Sequence, residues 1–130
     1  MKTTAFEMNG QVFYLCLNGA ALFDLYDKFG KEAGLMEPIA GNDREGYNAT
    51  CFYLATLANQ GEIVRRYQGH EPGKFTTENF FRANLAVWDV ARAKEAVKAA
   101  LFQGFYREEK EPEERIDLGL LELEKKTGPG

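Results

Sequence analysis

The chain has 130 residues, a hydrophobic fraction of 45% and a formal charge of −4. That is enough apolar material for one real core, and too much for a wholly disordered chain. The acidic balance argues against nucleic acid as a main partner, because phosphate binding wants a basic surface. No apolar run approaches the roughly 20 residues of a membrane span, and the first ten residues lack the apolar stretch of a secretory signal.

Residues 3–30 predict a hairpin that feeds directly into an amphipathic helix. Asn9-Gly10 is the strongest short hairpin signal, since a type I′ turn needs positive φ at both central residues. That turn dictates the register. Met8 faces Gln11, Glu7 faces Val12, Phe6 faces Phe13 and Thr4 faces Leu15. One face then carries Phe6, Met8, Phe13 and Leu15 and needs a cover. Leu22, Leu25, Tyr26 and Phe29 follow at helical spacing and offer one.

The second strand, residues 11–17, is apolar on both sides, with Val12, Tyr14 and Cys16 on the second one. A two-stranded ribbon is marginal alone, so that side must meet another part of the chain or a second copy. Asn18 is the expected N-cap of the first helix, which runs from Gly19 to Phe29, and Gly30 its stop.

Residues 31–42 read as irregular, broken by Gly34, Pro38 and Gly41. Asp43 caps a second helix to about residue 60, with Tyr47, Cys51, Leu54, Ala55 and Ala58 on one stripe; Gly61 is read as interrupting it, with Ile63, Val64 and Tyr67 beyond as its possible extension. After a turn at residues 69–73, Thr76 or Thr77 caps a third helical region with Glu78 in its first turn. No Gly or Pro follows until Gly104, so this region is one long helix or two with a bend near residues 87–90.

The composition changes after Tyr106. Residues 107–126 hold five basic and eight acidic side chains, interrupted by Ile116, Leu118, Leu120, Leu121 and Leu123. Such a segment is expected to be a charged, flexible tail whose short apolar patch orders only when docked. The expected fold is therefore α+β: an N-terminal hairpin on a domain of three to four helices spanning residues 1–106, followed by a disordered acidic tail at 107–130.

The search for chemistry returns little. His70, the one histidine, lies in a Gly/Pro turn, and no second His or Cys stands at metal-ligand spacing. The stretch GNDREG at residues 41–46 lacks the acid spacing of a calcium loop. No phosphate-binding glycine motif is present. Cys16 and Cys51 form no CxxC and read as buried small hydrophobes in a reducing cytoplasm. Arg65-Arg66 reads as a solvated helix end that complements the helix dipole. No enzyme, cofactor or metal is expected.

The aromatics are dense after residue 75. Phe80 and Phe81 are adjacent, as are Phe105 and Tyr106, so one ring of each pair should point outward. Phe80, Phe81, Trp88, Phe105 and Tyr106 are accordingly the candidate partner contacts, and Val12, Tyr14 and Cys16 the candidate self-association surface.

This order of elements resembles the tail assembly chaperones of long-tailed bacteriophages. The family typically opens on an Asn/Asp-Gly hairpin, here Phe6-Glu-Met-Asn-Gly-Gln-Val-Phe13, then a helix ending in Gly, here Leu22-Phe-Asp-Leu-Tyr-Asp-Lys-Phe-Gly30. A Leu-x-x-Leu helix, here Leu54-Ala-Thr-Leu57, precedes a Thr-x-Glu helix start, here Thr76-Thr77-Glu78. An Ala-rich helix and a charged tail finish it. The resemblance covers about residues 3–109. It implies a non-enzymatic protein of the host cytoplasm that binds the tape-measure protein, keeps its hydrophobic helices soluble, recruits tail-tube protein and is not in the mature virion. It also implies a possible homo-oligomer. Many members are also made in a longer frameshifted form, for which Lys125-Lys126 is the matching place. The alternative is another small phage or prophage interaction or regulatory module, bound through Arg65-Arg66 and the apolar patch at 116–123.

Overall fold

Asn9 and Gly10 take φ of 53° and 79°, the left-handed pair that the turn requires. In the computed structural model, which describes residues 1–32 and 34–106, strands β1 (Thr4–Met8) and β2 (Gln11–Leu15) pair antiparallel in the predicted register, from Thr4 opposite Leu15 to Met8 opposite Gln11. Phe6, Met8, Phe13 and Leu15 are all buried on one face.

Four helices complete an α+β fold: α1 (Gly19–Phe29), α2 (Arg44–Tyr67), α3 (Glu78–Asn84) and α4 (Val90–Phe105). Their starts follow from short polar side chains. Asn18, Asp43 and Thr77 each accept a hydrogen bond from the backbone N–H three residues on. The predicted tail at 107–130 lies outside the described residues.

α2 is the central element and touches β2, α1, α3 and α4. Helix α1, whose spacing offered a cover for the hairpin, packs chiefly on α2 instead, where Phe29 meets Phe52 and Tyr53 at 5.6 and 5.5 Å between ring centroids. The reason lies in the connector. The Cys16 N–H donates to the Leu57 carbonyl and Asn18 Nδ2 to Gln60 Oε1, each at 3.0 Å, so the chain enters α1 already pinned to α2. The hairpin face is covered by α2 and α4, and Phe13 meets Phe81 of α3 edge-on at 4.9 Å.

The expected break at Gly61 is absent: α2 runs through it to Tyr67. A Cβ at position 61 would lie 1.6 Å from the carbonyl oxygen of Tyr14, so the glycine lets the helix and β2 approach backbone to backbone. The third helical region is two helices. Residues 87–89 form a 3-10 turn between them, and Tyr47 Oη sits 3.0 Å from the carbonyl oxygens of both Arg82 and Leu85, donating to the carbonyls freed where α3 ends.

Candidate functional site

A groove runs along the outer side of α4. The side chains at positions 91, 95, 98, 102 and 106 recur at three- and four-residue steps and form one stripe of the helix. At its N-terminal end the groove is a cleft of about 530 Å³, lined by Ile39, Tyr47, Val87, Val90, Lys94 and Lys98. Toward the C-terminal end it opens into a shallower depression of about 650 Å³ against Met36, Lys98, Phe102, Gln103 and Tyr106. Glu95 and Lys98 line both parts and join them.

The far wall is the irregular segment after α1. Its 3-10 turn at Glu37–Ile39 buries Ile39, and Lys94 Nζ donates to the Gly41 carbonyl at 2.8 Å, tying this wall to α4. Tyr53 Oη donates to the Leu35 carbonyl at 2.7 Å and anchors it from below.

The surface of this groove is apolar and open. Val87 is 84% exposed, Phe102 62%, Tyr106 65% and Met36 43%. The Phe102 and Tyr106 rings lie 4.5 Å apart and make one aromatic ledge. The charged side chains that line the groove balance, Lys94 and Lys98 against Asp43 and Glu95, and Lys94 is spent on the Gly41 carbonyl, which leaves Lys98 as the exposed lysine of the groove. An open apolar trough of this kind suits the apolar face of an amphipathic segment.

The residues singled out in the sequence fall into three groups. Trp88, Phe105 and Tyr106 are exposed, the first in the turn before α4 and the others at its end. Val12 is half-exposed on the hairpin and Phe80 is only partly covered, against Phe13 and Phe81. Three do not stand as free contacts. Phe81 is fully buried, because it is the ring that inserts between α3 and the hairpin. Cys16 is buried beside α2. Tyr14 lies under the guanidinium of Arg65, 4.3 Å from ring centroid to Cζ. The eight positions therefore do not form one site.

Val87, Phe102 and Met36 were missed as site residues. Phe102 carried a signal, its spacing of four from Tyr106 on a helix whose opposite face holds Val97 and Leu101. Met36 and Val87 carried none, since their place depends on how two loops fold against α4.

The other candidates for chemistry are occupied structurally. Arg65 and Arg66 both reach the Glu62 carboxylate, at 3.5 and 2.8 Å, and Arg66 stacks on Phe75. Glu62 also accepts from the Gly73 amide. Burial pulls its pKa upward, but the Arg66 and Gly73 hydrogen bonds and the two guanidinium charges outweigh that and hold it below its usual value. The two cysteines are buried thiols, and burial pushes Cys51 up to about 11. Among the described residues, no group of three or more His, Cys, Asp or Glu side chains is placed to hold a metal ion, and no helix is long and apolar enough to cross a membrane.

Compared with known proteins, the chain matches no family model, no curated protein and no solved structure.

Proposed function

We propose that this chain is a phage tail assembly chaperone, a non-enzymatic protein that holds the tape-measure protein in the host cytoplasm and aids assembly of the tail tube. The sequence resemblance supplies the class of client. The observation that carries the reading is the α4 groove, an open apolar trough with an aromatic ledge at Phe102 and Tyr106. A helical client would lay its apolar face into that trough. Tail-tube protein and a second copy of the chain are further partners under this reading, the second copy meeting the hairpin at Val12. Several copies along one client would bind it far more tightly than one does.

The test is affinity purification from cells producing the tail proteins of the parent phage. Recovery of the tape-measure protein with the chain, and its loss with Phe102→Glu, is the expected result. Recovery of a host protein alone would overturn the reading in favour of a different phage interaction module.

A further inference from the structure

We propose that residues 116–123 of this chain fold back into the α4 groove and occupy it when no partner does. The inference adds regulation to the site of the proposed function; it rests on the groove being that site, and not on the identity of the client.

Four observations converge. The first is position. The chain leaves α4 at Tyr106, a residue that itself lines the groove's C-terminal end. The second is reach. Ile116 stands ten residues beyond Tyr106, and ten extended residues span about 33 Å. The 16 residues of α4 are about 24 Å long. The segment can therefore return along the whole groove, and Pro112 lies in the stretch where it must reverse. The third is pattern. Ile116, Leu120 and Leu123 fall at helical spacing and give the one apolar face after residue 107 that could fill an apolar trough. The fourth is charge. Residues 107–126 carry eight acids against five bases, while Lys98 stands half-exposed where the two parts of the groove meet. Asp117, Glu122 and Glu124 flank the apolar face and would meet Lys98, whose ion-pair partner among the described residues is the exposed Glu95, at 3.6 Å.

Tethering makes weak complementarity sufficient. Covalent attachment within one chain raises the effective concentration of the segment, to the order of millimolar over a short connection, so docking succeeds even where a free peptide of this sequence would bind poorly. A client must then displace the segment, which keeps the apolar ledge covered until a client of higher affinity arrives.

The experiment compares amide NMR spectra of the full chain with those of Leu120→Asp/Leu121→Asp and of Phe102→Glu. In the native chain, signals of residues 116–123 are expected away from random-coil positions. Both variants should return them there. The tail variant should also shift the amides of Met36, Lys98, Phe102 and Tyr106, and Lys98→Glu should loosen the docking in part. These differences should persist on dilution, because the contact is within one chain. Random-coil signals for 116–123 in the native chain would overturn the proposal. Shifts that vanish on dilution would overturn it too, and assign the groove to a second copy. Neither result bears on whether the tape-measure protein co-purifies.

Discussion

The two sides of this molecule use their aromatic residues in opposite ways. Around the hairpin and α2, almost every ring has a defined neighbour: Phe13 on Phe81, Phe29 on Tyr53, Tyr14 under Arg65 and Phe6 under Arg92. Along the outer side of α4, Phe102, Phe105 and Tyr106 have mainly each other and solvent. Rings of the first kind contribute to folding. Rings of the second kind contribute little to the folded state, and this open apolar patch is where the proposed client would bind. The contrast teaches that aromatic density alone does not locate a site here; what covers each ring does.

The contrast breaks most sharply at Gly61. Gly61→Ala improves helix propensity by about 1 kcal/mol but puts a methyl into the Tyr14 carbonyl. Neither backbone can yield cheaply, so the variant is expected to lose about 3 kcal/mol or more, seen as a large fall in the urea midpoint. An unchanged midpoint would mean that α2 and β2 are not in backbone contact.

Glu62→Gln comes next. It weakens the clasp that holds the turn at residues 69–73 to α2, and a loss of about 1–3 kcal/mol is expected near neutral pH. The pH dependence carries a defined sign. The Glu62 pKa is lowered by folding, so its contribution is present above the unfolded value of about 4.3 and is lost as pH falls through the folded one. Native protein should lose this part of its stability in acid, and Glu62→Gln should show a flatter acid limb in melts across that range. Matching acid limbs would show that Glu62 is not held as described.

On the surface side the effects on stability shrink. Phe102→Ser is expected to stay within about 0.5 kcal/mol of the native chain while weakening partner binding. Val12→Asp should leave the melting temperature unchanged and lower the sedimentation-detected mass if the hairpin is a self-association surface. Tyr14→Asp is not an equivalent probe. It removes the ring under Arg65 and should cost about 0.5–1 kcal/mol of folding.

Local chemistry made much of the fold legible in the sequence. The Asn9-Gly10 turn dictates the hairpin register, and Asn18 and Asp43 mark the starts of α1 and α2 through their own side chains. What stayed hidden depends on distant parts of the chain. Gly61 reads locally as a helix breaker, and only the approach of β2 explains why a glycine stands there. The helical spacing of Leu22, Leu25, Tyr26 and Phe29 offers α1 as the cover of the hairpin, while pairing of Cys16 and Asn18 with α2 sends α1 elsewhere. The candidate site is legible in part: Trp88 is exposed, and of the two adjacent pairs Phe80/Phe81 buries one ring as the spacing predicts, while Phe105 and Tyr106 are both exposed because α4 ends there. Adjacency marks Phe81 and strand alternation marks Cys16, and neither pattern says which of two sides a neighbour will bury.

The most direct test of the α4 groove as the binding surface is to co-express the tape-measure protein with three forms of the chain and measure how much client stays soluble. The forms are the native chain, Phe102→Glu/Tyr106→Glu and Val12→Asp. The account predicts that the native chain holds the client in solution, that Val12→Asp does so less efficiently, and that the α4 variant fails while melting as the native chain does. Full retention of soluble client by the α4 variant would contradict it.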